Sequence, residues 1–216
     1  MAAWSDSVKG AKRDLLLQAA REEFADEGLD GATMRGIAAR AGCSTGAIYP
    51  IYESKEAIYA DLLQHSLSSL DAHVARAVQS ADAPEAQVEA ACAAFLQYYM
   101  QNRFEVNLGL YAFRGVKRQG VGKALDDALN RALWKVLARI AVPLAALRGV
   151  QPEDVRPWVA LLFSQMIGAL VLQMSGRLKF LDTDARALLD LMLMHVVGSG
   201  AATQKAQPKP KVRRRV

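Results

Sequence analysis

A group of hydrogen-bond donors lies between residues 44 and 55, in the sequence STGAIYPIYESK. It comprises two hydroxyls, a phenol and an ammonium group, on Ser44, Thr45, Tyr49 and Lys55. Such groups bind phosphate oxygens and fix the register of a protein on nucleic acid without reading its sequence. Gly46 and Ala47 add small side chains where a bulky one would hold a helix away from base edges. The stretch therefore favours contact with a DNA backbone and groove.

Two short helices are predicted to position these donors. Thr33 is a good N-cap for the first, which carries Arg35 just inside its start. An apolar stripe at offsets 0, 3, 4 and 7 follows, formed by Met34, Ile37, Ala38 and Ala41. Gly42 ends this helix, and Ser44 is the N-cap of the second, whose inward face is Ile48 with Ile51 or Tyr52.

This arrangement is a helix-turn-helix over residues 33–52. In such motifs the first helix crosses the DNA backbone and the second enters the major groove by its N-terminal end. The shape alone also occurs as ordinary packing, so the residue types are needed to favour DNA binding.

The rest of the chain also reads as helix, without a convincing strand pattern. A first helix from about Ala11 to Glu27 buries Leu16, Ala19, Ala20 and Phe24, and Gly28 ends it with a left-handed cap. Ser54 caps a fourth helix that runs to about Gln79. Further helices are predicted near 84–101, 104–117, 122–148, 153–178 and 183–198. Pro143 should kink or split the helix that contains it.

The predicted fold is therefore all-α: an N-terminal three-helix unit followed by a helical bundle, with about nine helices. We expect a flexible arm over 1–9, a DNA-binding domain over 10–56, a second domain over 57–199 and a disordered tail over 200–216. The tail holds six basic and no acidic residues, more than the net charge of +5 of the whole 216-residue chain. The basic pI is thus no argument for DNA binding.

Several other functions are disfavoured. Residues 158–174 carry no charge, and a buried helix is favoured there over a membrane span. Cys43 and Cys92 match no metal spacing and suit a reduced, cytoplasmic protein, with Cys43 a small hydrophobe rather than a redox sensor. The three histidines share no obvious site, and no catalytic motif or phosphate-binding glycine loop is present. We therefore expect neither enzyme activity, nor a metal, nor a cofactor.

The stretch ATMRGIAARAGCSTGAIYPIYESKEAIY, with LLLQAAREEFADEGLDGATM before it, resembles the N-terminal domain of TetR/AcrR-type transcriptional regulators. The resemblance covers about residues 10–58; beyond them only the length and helical character agree. It implies a cytoplasmic homodimer, usually a repressor, whose third helix enters the major groove at each half of a palindromic operator. A small molecule bound by the C-terminal domain then releases the DNA.

Carried over by position, the resemblance assigns seven residues to DNA contact. They are Thr33, Arg35, Thr45, Gly46, Ala47, Tyr49 and Lys55. Ser44 is an eighth candidate because of its hydroxyl group. Tyr52 falls at an aromatic position that serves core packing. Two departures stand out: Ile51 replaces a common His, and Pro50 cannot donate to the carbonyl of Gly46 and disfavours a helical conformation at Tyr49. The second helix should be distorted or tightened near its end.

Large apolar side chains with a few polar anchors suggest a partly apolar ligand pocket in the second domain. The candidates are Phe95, Tyr99, Arg103, Phe104, Asn107, Tyr111, Trp134, Phe163 and Met166. The resemblance places the dimer interface on the last two long helices. The candidates there are Leu161, Gln165, Gly168, Leu172, Leu189, Leu193 and Val197.

The sequence thus predicts a homodimeric repressor released from a palindromic operator by a small, partly apolar ligand. The alternative within DNA binding is an activator or architectural protein without a small-molecule switch. A third alternative is a helical enzyme or protein-interaction module that reuses a three-helix unit. The operator sequence and the inducer cannot be read from these residues.

Overall fold

The computed structural model describes residues 2–110 and 120–198, with side chains from Gly10 onward. These residues form ten helices and no strand. The helices are α1 (Ala2–Gly31), α2 (Met34–Arg40), α3 (Thr45–Ile48), α4 (Lys55–Gln79), α5 (Pro84–Gln101), α6 (Arg103–Gly109), α7 (Lys123–Arg148), α8 (Arg156–Met174), α9 (Arg177–Phe180) and α10 (Ala185–Gly198). The predicted all-α class is confirmed, and the predicted tail over 200–216 lies outside the described residues.

The chain divides into two compact units. The first combines Met1–Ser69 with Asn102–Trp134, and the second combines Leu70–Gln101 with Lys135–Val216. This division into compact units falls inside α4. The predicted boundary after residue 56 separates functional domains rather than compact units, and it stays a prediction.

In the first unit, the predicted inner face of α1 is buried, because its apolar side chains recur at helical spacing. In α2, Ile37 and Ala38 are buried. After α3, Ile48 and Tyr52 point inward, at 0% and 7% exposure, whereas Ile51 is only half-buried. The open choice between Ile51 and Tyr52 is thereby decided for Tyr52.

The second unit is built on apolar contacts of α8 and α10 with each other and with α5. Phe95 of α5, Leu162 and Met166 of α8, and Leu189 of α10 all lie in this core. One buried carboxylate, Asp71, accepts from both Arg139 Nε at 2.9 Å and Lys135 Nζ at 2.9 Å. The arginine, more than the lysine, lowers the pKa of Asp71.

Three predicted helix bounds differ from the structure. Helix α1 begins at Ala2 and not near Ala11, because Gly10 lowers helix propensity by about 1 kcal/mol without breaking a helix. The predicted helix over 153–178 is divided into α8 and α9, because Gly176 has a left-handed φ of 75°. Helix α7 continues through Pro143, so the proline does not split it.

Helix α8 has the length and apolar composition of a membrane span, with a mean hydropathy of 1.5. Only 28% of its most apolar 18-residue window is buried in the chain. Leu161 and Val171 are the large exposed apolar residues of this helix, so much of its apolar surface lacks cover within the described residues.

Candidate nucleic-acid interface

A glycine-based turn joins α2 to α3. The N–H of Gly42 donates to the carbonyl of Ala39 at 3.2 Å, and the N–H of Cys43 donates to that of Ala38 at 3.0 Å. This bond pair is a Schellman ending, and it requires the left-handed φ of 66° at Gly42. The predicted termination at Gly42 is confirmed, and the turn directs α3 away from the axis of α2.

The N-cap of α2 is formed as predicted. Thr33 is extended, and its Oγ1 accepts from the N–H of Gly36 at 2.9 Å. Ser44 occupies the N-cap of α3 in an extended conformation, but its hydroxyl makes no capping hydrogen bond.

The end of α3 is tightened. The N–H of Ile51 donates to the carbonyl of Ile48 at 2.8 Å, a three-residue spacing. The expected tightening before Pro50 is confirmed, but Tyr49 keeps helical angles, with φ −56° and ψ −30°. Pro50 disfavours a helical conformation at Tyr49 without preventing it, since the preference against helix before proline is a bias and not a prohibition.

One face of this motif is open to solvent. Tyr49 is 56% exposed, next to Ile48 at 0%. A methyl group on Gly46 would meet only Ser44 Oγ, at 3.8 Å. Thr45 is half-buried. The other predicted contact residues on this surface are exposed; they are Thr33, Arg35, Ser44, Gly46 and Ala47.

A buried carboxylate from α1 holds α2, and the sequence-based reasoning missed it. Glu23 is 6% exposed, and its Oε1 accepts from the N–H of Thr33 at 3.3 Å. Its Oε2 accepts from Arg40 Nε at 2.8 Å, and Arg40 also donates to Asp26 at 2.7 Å. These bonds to both partners raise the pKa of Arg40.

Glu23 replaces the local partner that a capping box would use. In that motif, a Glu or Gln three residues after the N-cap accepts from the N-cap N–H. Here that position is Gly36, and the carboxylate comes from α1 instead. A Cβ at Gly36 would lie 1.9 Å from Glu23 Oε1, so glycine is what lets α1 and α2 approach. An acidic residue on the apolar face of α1 was the clue in the sequence.

A second polar cluster fixes the segment after α3. Arg13 donates from Nε to Asp61 at 2.9 Å and to the Tyr52 hydroxyl at 3.1 Å, and the Tyr52 hydroxyl donates to Asp61. The pKa of Tyr52 is raised, chiefly by burial, and that of Arg13 is raised by its bond to Asp61. The cluster joins α1, the segment after α3 and α4.

Lys55 makes contacts within the chain that the predicted phosphate contact did not include. Its Nζ donates to the carbonyls of Leu29, Asp30 and Ala32 at 2.8, 3.1 and 3.0 Å. An ammonium group has three donors, and all three are engaged here. We therefore assign Lys55 to holding the turn between α1 and α2.

The predicted pocket residues are divided between the two units. Phe95, Tyr99, Phe163 and Met166 belong to the second unit, where the Phe95 ring contacts Tyr99 at 5.0 Å and Phe163 at 6.0 Å, edge to face. These rings fill the core by contacting one another. Arg103, Phe104, Asn107 and Trp134 belong to the first unit. Tyr111 lies outside the described residues.

The predicted dimer residues divide by burial. Leu189, Leu193 and Val197 are at most 5% exposed within one chain, so they pack in its own core, and their role in a dimer stays a prediction. Leu161, Gln165, Gly168 and Leu172 remain partly or fully exposed on α8. On α10 the exposed apolar residues are Leu191 and Met194, at 54% and 62%.

The cysteines remain reduced thiols in the structure. Cys43 is half-buried, and burial raises the pKa of the fully buried Cys92 to about 12. Within residues 2–110 and 120–198, no three His, Cys, Asp or Glu side chains are placed to hold a metal ion.

Comparison with known proteins identifies the N-terminal region. Residues 16–62 match the family model for bacterial regulatory proteins of the tetR family. Over 84 residues the chain is 36% identical to the HTH-type transcriptional repressor KstR2, and over 87 residues 34% identical to the activator FasR, both from Mycolicibacterium smegmatis. These matches cover 39% and 40% of this chain, and about two fifths of each relative's length.

The fold extends the comparison beyond the N-terminal region. The transcriptional regulator FadR from Bacillus subtilis, solved in complex with stearoyl-CoA, superposes with a TM-score of 0.66. The superposition covers 85% of this chain and 96% of FadR at 18% identity, which relates the two folds alone. The match over residues 16–62 and the helix-turn-helix geometry together relate the N-terminal region of this chain to the tetR family of bacterial regulatory proteins.

Proposed function

We propose that this chain is a DNA-binding transcriptional regulator that works in the cytoplasm as a homodimeric repressor. A small, partly apolar ligand releases it from a palindromic operator. The proposal rests on one observation, that the second helix of the motif has a buried and an exposed side. Ile48 is fully buried, while the adjacent Tyr49 is 56% exposed and Gly46 is open to solvent.

The exposed face suits a DNA backbone. Arg35 contributes a positive charge, and Thr45 and Tyr49 contribute hydroxyl groups that donate to phosphate oxygens. Because Gly46 and Ala47 are small, the backbone of α3 can approach base edges in the major groove. A palindromic operator would then place two copies of α3 about one helical turn, or 34–36 Å, apart.

The second unit supports a homodimer. Its two C-terminal long helices expose Leu161 and Val171 on α8 and Leu191 and Met194 on α10. Apolar surface of this extent on neighbouring helices marks an interaction site. A second copy covers the same residues on both chains, as a two-fold interface requires.

The proposal is tested by selecting bound DNA from a random pool with the full-length protein. We expect enrichment of a palindrome whose affinity falls as salt rises, because phosphate contacts release counterions. Tyr49→Ala should weaken binding about tenfold, the effect of losing about 1.4 kcal/mol, with an unchanged melting temperature. Phe180→Ala removes an even more exposed aromatic residue, at 87%, from the second unit and should leave the affinity unchanged. Recovery of no preferred sequence would refute the proposal.

Activation is the second candidate, favoured by the similarity to FasR over 87 residues. Transcription in vitro from a promoter that carries the selected palindrome separates the two. A repressor lowers the yield of transcript and an activator raises it, and a response to ligand distinguishes either from an architectural protein.

A further inference from the structure

A cleft of about 270 Å³ lies in the first unit, among α1, α4 and α6. Its walls include three aromatic side chains, Phe24, Tyr59 and Phe104. The Phe24 and Tyr59 rings meet edge to face at 5.0 Å, and the Tyr59 hydroxyl donates to the carbonyl of Leu108 at 2.9 Å. The cleft therefore has a firm aromatic wall.

Two polar side chains on α6 face this wall. Arg103 and Asn107 line the cleft and are exposed, and neither makes a side-chain hydrogen bond or ion pair within the described residues. Arg103 is also the one charged residue among those that line it. A guanidinium group binds a carboxylate through two parallel hydrogen bonds, and an amide can add a third.

The size of the cleft restricts its ligand. Sites for drug-sized molecules measure about 300–1,000 Å³, so this cleft suits a molecule of one or two rings. Ring edges and faces at the wall favour an aromatic over an aliphatic body. The chemistry that fits is a small aromatic carboxylate.

The part of α1 that lines the cleft also holds α2. Phe24, Ala25 and Leu29 face the cleft, whereas their neighbours Glu23 and Asp26 bind Arg40 of α2. The carbonyl of Leu29 accepts from Lys55 as well. Gly28 lies between Asp26 and Leu29 in the sequence, and its φ of 70° interrupts the helical backbone there.

We infer that this cleft is a regulatory site for an aromatic carboxylate of one or two rings, and that the bound ligand shifts the end of α1 and thereby α2. The inference rests on the proposed function and deepens it, since it assigns the releasing ligand a place and a chemical class. A ligand shifts an equilibrium only by its different affinity for the two states. Typical couplings change affinity about 5- to 150-fold, which is the weakening of operator binding expected here.

The test is calorimetric titration of the full-length protein with benzoate, 2-naphthoate and biphenyl-4-carboxylate, beside the neutral 2-naphthamide. We expect at least one acid to bind, and 2-naphthamide to bind at least tenfold more weakly than 2-naphthoate. Arg103→Gln should weaken the binding of the acid at least tenfold, and Ala25→Phe should block it by filling the cleft from an exposed position. Arg131→Gln removes an exposed arginine outside the cleft and should leave acid binding unchanged.

A second measurement compares the affinity for the selected palindrome with and without the acid that binds best. For the wild type, the acid should lower the affinity for the palindrome at least fivefold. For Arg103→Gln and Ala25→Phe, the ratio of the affinities with and without the acid should stay near one. The site would be overturned if none of the acids bound, if Arg103→Gln bound the acid as tightly as the wild type, or if Arg131→Gln lost acid binding. An acid that binds in the cleft without changing the ratio would overturn the regulation. Failure of the DNA selection would instead refute the proposed function, because the titration needs no DNA.

Discussion

Helices α2 and α3 have seven and four residues, whereas α8 and α10 of the second unit have 19 and 14. Isolated helices shorter than about 12–15 residues are marginal in water, so the short pair depends on its surroundings. Glu23, Arg13 and Lys55 supply that support through hydrogen bonds, and Ile37 and Ile48 through burial. The long helices instead pack through apolar faces and keep apolar surface to spare. The short helices are therefore stabilised largely by directional hydrogen bonds, whereas the long helices are stabilised by the apolar surface area that they bury.

The largest expected effect tests the core under the short helices. Ile37→Asp places a carboxylate at a site that is 0% exposed, and should cost about 4 kcal/mol or more. Denaturant unfolding should show loss of the first unit, together with loss of DNA binding. Leu15→Asp, at a site 66% exposed on α1, should unfold as the wild type does. A cooperative, wild-type transition for Ile37→Asp would contradict the fold of this unit.

The next effect tests the spare apolar surface of the second unit. Glutamates at both Leu191 and Met194 should raise the dimer dissociation constant about 30-fold or more, the effect of losing a contact of about 2 kcal/mol. Sedimentation velocity over a range of concentrations measures it. Leu181→Glu, at an exposed site before α10, is the matched control and should stay dimeric. If the wild type sedimented as a monomer at every concentration, the proposed dimer interface would be contradicted.

A smaller effect tests the bonds from α1 to α2. Glu23→Ala should cost about 1–3 kcal/mol, because the N–H of Thr33 loses its acceptor. Glu22→Ala, at an exposed neighbouring position, should cost less than about 0.5 kcal/mol.

The effect of Gly36→Ala on the free energy of unfolding should have opposite signs in the wild type and in Glu23→Ala. In the wild type the new methyl displaces Glu23 and destabilises the unit. Without that carboxylate, alanine should stabilise α2 by up to about 1 kcal/mol. Urea unfolding of the four variants gives the coupling. The same sign in both backgrounds would show that Glu23 does not hold α2.

The last effect concerns pH and the second unit. Asp71→Asn should cost about 1–2 kcal/mol at neutral pH, because Arg139 and Lys135 lose a charged acceptor. The folded state lowers the pKa of Asp71 below its ordinary value of 3.8. Its stabilisation is therefore present above that value and is lost as the pH falls through the folded pKa.

The matched control for Asp71 is Asp127→Asn, which removes an exposed pair with Lys123 on α7 and should change stability by less than about 0.5 kcal/mol. Stability measured from pH 7 to pH 2 decides between the two. An acid dependence that is unchanged in Asp71→Asn would show that this carboxylate is not the group responsible.

Prediction from the sequence succeeded where the cause is local. The caps at Thr33 and Ser54, the stop at Gly42 and the buried stripe of α1 follow from neighbouring residues, and all are present. It failed at Gly176, which read as part of a longer helix, although glycine in the left-handed region ends one.

The candidate sites show the same limit. The exposure of Tyr49 and the burial of Tyr52 were correctly anticipated from their positions in the family pattern. The role of Lys55 was not, because the three carbonyls that it binds lie 23 to 26 residues earlier in the chain. The pairing of Glu23 with Gly36 was also missed, since it depends on how closely two helices approach.

The sequence by itself determined the helical class, the helix-turn-helix and the small-sided surface of α3, because capping, turn chemistry and apolar periodicity act over a few residues. Only the tertiary structure decided which apolar residues of α10 face its own core and which are exposed. Leu189 and Leu193 differ from Leu191 only in the direction in which they point, and neighbouring helices decide which direction is covered. It also brought Arg103 and Asn107 to an aromatic cleft, because residues distant in the chain meet only when helices pack.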